Sequence, residues 1–179
     1  MTELDELLAK AAALDVAEAR ALMSAATGEV REASLFHHVL GVLALRAADP
    51  SAAIAAFDEA CRIEPEVAEH RGMLGAAYLE KRDTTRALAE LERAYAMRPL
   101  TPDVGTSLAF ACEVTGDAAR ALVVIDEVLV RFPEHPPALF NKASALKALG
   151  RSDDSRAVLD SLLDMAPDFA PARAARARL

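Results

Sequence analysis

The feature that most constrains this chain is a period of 34 residues. Gly41 and Gly75 stand 34 apart, and the same step links whole columns of side chains. One column reads Ala19, Ala53, Ala87, Ala121 and Ser155, and a second reads Met23, Phe57, Leu91, Ile125 and Leu159. A third reads Ala26, Ala60, Ala94, Val128 and Leu162. A fourth is Pro65, Pro99, Pro133 and Pro167, with Arg31 where a first proline would stand. These columns hold register from Ser34 to Asp168 without insertion or deletion. A repeat this regular predicts one small unit stacked on copies of itself.

The content of the columns says what that unit is. Ala53, Phe57 and Ala60 are spaced i, i+4, i+7, which is one face of an α-helix. Small residues let a neighbouring helix approach, and the large one between them fills the gap. Gly41 and Gly75 fall inside predicted helices, each at a cost of about 1 kcal/mol relative to alanine. That cost is understandable if another backbone passes close by. The prolines close the second helix of each unit, because proline cannot continue the hydrogen-bond ladder. Between the helices lie Ala48-Asp49, Arg82-Asp83, Gly116-Asp117 and Gly150-Arg151. Asp49, Asp83 and Asp117 fit as N-caps of second helices, with Pro50 at the favoured first position. Thr101-Pro102 repeats that logic at the start of a first helix. Composition agrees: 41 alanines stand against 22 valines, isoleucines and threonines together, which favours helix over strand.

These columns resemble the tetratricopeptide repeat, a helix–turn–helix unit of the same length. The match covers residues 34–167 as four units, approximately 34–67, 68–101, 102–135 and 136–169. Its pattern is a leucine–glycine pair, a tyrosine, an alanine, an aromatic, a second alanine and a proline. The second unit carries Leu74-Gly75, Tyr78, Ala87, Leu91, Ala94 and Pro99, and Phe57 supplies the aromatic in the first. The tryptophan often found early in a unit is replaced by His37, Arg71, Gly105 and Leu139. The fourth unit departs furthest, with Lys142 in place of leucine and Ser155 in place of alanine. The resemblance implies an all-α fold, a right-handed αα-superhelix of antiparallel helix pairs.

Residues 1–33 read as a degenerate helix pair at the front. Thr2-x-x-Asp5 and Asp15-x-x-Glu18 are capping-box patterns, each opening a helix. Residues 168–179 form a short closing helix that begins near Pro171-Ala172-Arg173 and runs toward Leu179. It suits either a minimal cap or a domain taken from a longer protein, such as an enzyme.

Several functions are disfavoured. Lys+Arg 20 against Asp+Glu 28 gives a net charge of −8 with no basic block, so a nucleic-acid partner is not expected. No apolar run is long enough for a membrane span, and the acidic N-terminus differs from a signal peptide, so a soluble, cytoplasmic protein is expected. None of the phosphate-binding, zinc-protease or serine-hydrolase motifs is present, so no enzyme, cofactor or metal site is expected. His37 and His70 fall at nearly equivalent places in adjacent units, where a shared metal is conceivable, but no third ligand is placed by the pattern. Cys61 and Cys112 read as small buried hydrophobes.

Function is then expected on a surface. In the family, first helices line the inner curve of the superhelix. The resemblance puts His38 and Arg46 of the first unit and Glu69 and Glu80 of the second on that face. Asp103, Thr106, Phe110 and Glu113 follow from the third, and Phe140, Asn141 and Lys147 from the fourth. Its centre is acidic and its floor aromatic. The expected partner is a protein or peptide carrying basic and apolar residues, with the Asn141 amide free to bond an extended backbone. Relatives that clamp a chaperone's terminal carboxylate use Lys, Arg and Asn; His38, Val42, Met73, Asp103 and Ser107 at the matching places supply no such cations. A self-associating homo-oligomeric scaffold is the alternative, using Val158, Leu162 or Leu163 if the last helix covers them poorly.

Overall fold

The computed structural model of the chain describes residues 2–26, 28, 30, 33–97 and 101–178. Arg31, Pro99 and Leu179 lie outside them. The described residues form eleven α-helices and no strand. Contacts group the helices into two lobes, divided between Met97 and Thr101. The first lobe holds α1 (Glu3–Ala12), α2 (Val16–Ala25), α3 (Ser34–Arg46), α4 (Pro50–Ile63), α5 (Ala68–Glu80) and α6 (Thr84–Ala96). The second holds α7 (Pro102–Val114), α8 (Ala118–Arg131), α9 (Pro136–Ala148), α10 (Ser152–Met165) and α11 (Ala170–Arg176).

Caps fix where most of these helices start. The Thr2 hydroxyl accepts from the Asp5 N–H, and the Asp5 carboxylate accepts from the Thr2 N–H in return. Asp15 and Glu18 form the same reciprocal box on α2. Asp49, Asp83 and Asp117 each accept from the backbone three residues on, at 3.0, 3.2 and 3.0 Å. Each such bond satisfies an N–H that the helix leaves unpaired. Thr101 departs from this logic. It is the N-cap of α7 by backbone position, yet its hydroxyl makes no capping bond and its Oγ1 is buried without a partner. Pro102, with its preset φ, begins that helix without help from the threonine side chain.

The turn within each helix pair is built identically four times. Ala48, Arg82, Gly116 and Gly150 adopt positive φ. The next residue donates its N–H to a carbonyl near the end of the preceding helix: Asp49 to Ala44, Asp83 to Tyr78, Asp117 to Cys112 and Arg151 to Leu146, all at 2.8–2.9 Å. This is the Schellman closure, which satisfies carbonyls that the helix end would otherwise orphan. In the first three pairs the residue that closes one helix also caps the next. The turn is therefore short and rigid, and the two helices pack antiparallel.

The periodic columns form the core. Met23, Phe57, Leu91, Ile125 and Leu159 are all essentially inaccessible to solvent, as are the flanking alanines Ala19, Ala53, Ala87 and Ala121. The space beside the helix glycines is filled mainly by side chains, and a backbone atom comes close at one of them, the Ala87 carbonyl oxygen lying 3.3 Å from where a Cβ on Gly75 would stand. A Cβ on Gly41 would lie 2.5 Å from the Phe57 ring, and one on Gly75 would lie 2.5 Å from Leu91 Cγ. The large residue of the second helix thus sits in the notch that each glycine leaves. Ser155, at an alanine position, is buried and donates its hydroxyl to the Ala143 carbonyl at 2.7 Å, which satisfies the polar atom.

At the end of the second lobe α11 lies on α10. Ala172 and Ala175 join a cluster with Leu159, Leu162, Val158 and Leu163, and Phe169 meets Phe140 edge-to-face at 6.0 Å. Leu162 is fully buried, so it is not available for the self-association face expected of it.

Candidate functional site

The residues expected to bind a partner divide between the lobes. His38, Arg46, Glu69 and Glu80 stand on α3 and α5 of the first lobe. Asp103, Thr106, Phe110, Glu113, Phe140, Asn141 and Lys147 stand on α7 and α9 of the second.

In the second lobe α7 packs against α9 and polar bonds tie them together. Asn141 donates its side-chain N–H to the Thr106 carbonyl at 3.0 Å. One N–H of its amide therefore ties α9 to α7. Thr106 is buried, and its hydroxyl donates to the Asp103 carbonyl at 3.0 Å, so it offers little to a ligand. Ser144 donates to the Glu113 carboxylate, which fixes that side chain while leaving it partly accessible. Asp103 is exposed. Phe110 and Val114 are 48% and 52% exposed on α7, next to Glu113. Phe140, Lys147 and Ser144 line a small pocket of about 140 Å³ whose floor includes Leu159.

In the first lobe Glu69 and Glu80 stand near opposite ends of α5, both exposed. His38 pairs with His70: their Nδ1 atoms lie 3.0 Å apart, a distance at which one ring donates and the other accepts. His70 is almost fully buried, and its Nε2 faces the Glu64 carboxylate at 3.6 Å, too far for a hydrogen bond. Glu64 in turn accepts from the Ser34 hydroxyl. Phe57 lies edge-on to His38, with ring centres 5.6 Å apart. Burial, then the facing His70, hold His38 below the usual imidazole range, and Glu69 opposes them.

The histidines that meet across adjacent first helices are His38 and His70, although His37 and His70 are the ones at nearly equivalent places in the sequence. His37 instead lies against the Phe36 ring, at 5.3 Å between centres. The two residues that meet, His38 and His70, are 32 apart in the chain. The Thr106–Asn141 and Glu113–Ser144 pairs, 35 and 31 apart, show the same kind of offset. Neighbouring first helices therefore meet a few positions away from strict repeat equivalence. Chain separation near 34 combined with hydrogen-bonding residue types is the signal that finds these pairs. No group of three or more metal-ligating side chains comes together among the described residues.

The cysteines are buried thiols. Burial pushes Cys61 up to about 11, which leaves it protonated and unreactive at neutral pH. Cys112 is inaccessible to solvent. No described helix is long and apolar enough to cross a membrane.

Comparison with known proteins agrees with this architecture. A tetratricopeptide-repeat family model matches residues 4–68, 39–104 and 72–136, and a second such model matches residues 115–179. No curated protein matches the chain. Among solved structures, TTC0263, a thermophilic tetratricopeptide-repeat protein of Thermus thermophilus, is 18% identical with a TM-score of 0.79, over 98% of this chain and 95% of its own. YrrB, a tetratricopeptide-repeat protein with an unusual peptide-binding site, is 20% identical with a TM-score of 0.73, over 97% and 89%. MamA is 18% identical with a TM-score of 0.75, over 95% and 98%. The fold class is all-α, the αα-superhelix of antiparallel helix pairs.

Proposed function

Since the chain belongs to the tetratricopeptide repeat family, a family of protein-interaction modules, we propose that it is a non-catalytic binder holding a peptide or helix of a partner protein on its first helices. The observation that carries this reading is on α7. Phe110 and Val114 are large apolar side chains left half exposed, and Glu113 between them is a carboxylate held in place by Ser144. An apolar anchor beside an oriented acid is complementary to a segment that carries Lys or Arg next to Leu or Phe. Asp103 adds negative charge nearer the start of α7. The unusual peptide-binding site of YrrB supports a peptide ligand for this fold.

Peptide display against the intact chain tests the reading. Selected sequences are expected to be enriched in a basic residue adjacent to an apolar one. Their affinity should fall as salt is raised and should fall about tenfold or more in a Phe110→Ala/Glu113→Arg variant. Selection without basic residues, or affinity indifferent to that variant, contradicts it.

Self-association is a second reading, supported by Val123 and Val130. These lie seven residues apart on α8 and are 71% and 83% exposed. Light scattering that returns the monomer mass at high concentration removes it.

A further inference from the structure

The first lobe contains a groove that a basic ligand does not suit. It has a volume of about 450 Å³ and runs between α3 and the α1–α2 pair. Leu8, Leu14, Val39 and Val42 give it aliphatic walls, and His38 and Arg46 are the polar side chains that line it. No carboxylate is among the described residues that line it. The volume lies within the range of ligand clefts.

Arg46 is the cationic member of that lining. In the same lobe Arg20, Arg62, Arg71, Arg86 and Arg93 each hold a carboxylate, at 2.6–3.0 Å. Arg46 is exposed and has no ion pair among the described residues. An unpaired guanidinium at the mouth of an aliphatic groove complements a carboxylate attached to aliphatic side chains. The other end is different. There His38 is engaged by His70, and the Glu69 charge acts on it. An acid is disfavoured at that end, so the groove has a direction. Eight residues of α3 separate His38 from Arg46, about 12 Å of helix, which an extended peptide spans in about four residues.

We propose that this groove docks a short segment of a partner protein that carries two aliphatic side chains, with an Asp or Glu at the Arg46 end. The ligand is opposite in charge to the one assigned to α7 and binds the other lobe, so the two readings stand or fall separately.

Amide NMR on the intact isotope-labelled chain tests it with two end-blocked synthetic peptides, Gly-Ser-Leu-Ser-Leu-Asp-Gly-Ser and the same sequence with Lys for Asp. The Asp peptide is expected to shift the amides of residues 38–46 and of α1. It should bind about fivefold more tightly than the Lys peptide, the size of one exposed ion pair. In Arg46→Glu the preference should reverse, and because Arg46 is exposed the rest of the spectrum should stay in place. Equal affinities, an unreversed preference, or no shifts over 38–46 overturn the proposal. Shifts confined to α7 and α9 overturn it as well while leaving the second-lobe reading intact. Broadening of the same groove amides with protein concentration, before peptide is added, overturns it in favour of a second copy as occupant.

Discussion

At two positions of the repeat that both lobes share, one inside the first helix and one in the turn, the lobes exchange glycine for a larger residue. Gly72 and Gly105 lie elsewhere on first helices. In the first lobe glycine sits inside the first helices, at Gly41 and Gly75, while the positive-φ turn positions are taken by Ala48 and Arg82, at 56° and 62°. In the second lobe alanine takes the helix position, as Ala109 and Ala143, and glycine takes the turn, as Gly116 and Gly150, at 88° and 76°. Each lobe therefore accepts a different local cost. A helix-interior glycine costs about 1 kcal/mol, and a left-handed L-residue costs about 1–2 kcal/mol. In the first lobe the helix glycine is demanded by packing, since Phe57 and Leu91 occupy the space of a Cβ. In the second the turn glycine is demanded by the backbone, since nothing lies within 4 Å of a Cβ at Gly116 or Gly150. Leu159 shares a cluster with Ala143, whereas Leu91 fills the notch at Gly75, so a large partner residue does not by itself require glycine.

That contrast breaks most readily at the packed glycine. Gly75→Leu should cost about 3 kcal/mol or more by overpacking against Leu91, and Ala143→Gly in the second lobe about 1 kcal/mol by propensity alone. Urea unfolding midpoints measure both. A Gly75→Leu midpoint equal to wild type contradicts the packing described here. The turns should respond in the opposite sense. Arg82→Gly and Ala48→Gly are expected to stabilise by about 0.5–1 kcal/mol each, and Gly116→Ala and Gly150→Ala to destabilise by about 1 kcal/mol. If all four shift stability in one direction, the comparison fails.

Acid sharpens the difference between the lobes. His38 is held below the unfolded imidazole value of about 6.5, so its neutral form is the one the folded first lobe prefers. The stability it contributes is complete above that value and is lost as pH falls through the lower folded value. Unfolding midpoints between pH 7.5 and 5.5 should therefore fall, and fall less in His38→Gln, whose amide keeps a hydrogen bond to His70 without titrating. Equal slopes in wild type and variant would remove His38 as the cause. The smallest effect is expected at Ser155→Ala, about 1 kcal/mol or less, because the lost hydroxyl bond leaves an alanine where the other repeats already have one.

Much of the fold was legible because its signals are local. A capping aspartate needs only the N–H groups two or three residues on, so Asp15, Asp49, Asp83 and Asp117 could be read directly. The inaccessible columns followed from spacing along one helix face. Contacts between helices were less legible. His38 meeting His70, Asn141 bonding Thr106 and Glu113 holding Ser144 depend on how neighbouring helices cross, which shifts each pair by one to three positions from the repeat. Thr101 shows the converse limit: the residue type is right for a cap, but its side chain makes no capping bond. The aliphatic groove beside Arg46 was also hidden, because Leu8, Leu14 and Val16, which supply one side of it, lie outside the repeat columns that predict packing.

On the two proposals above, α7 and the Arg46 groove carry separate ligand preferences. One measurement separates them directly: the affinity of a display-selected basic–apolar peptide for wild type, for Phe110→Ala/Glu113→Arg and for Arg46→Glu. About tenfold loss or more is expected in the double variant and an unchanged affinity in Arg46→Glu. Retained affinity in the double variant, or equal loss in both, would contradict that separation.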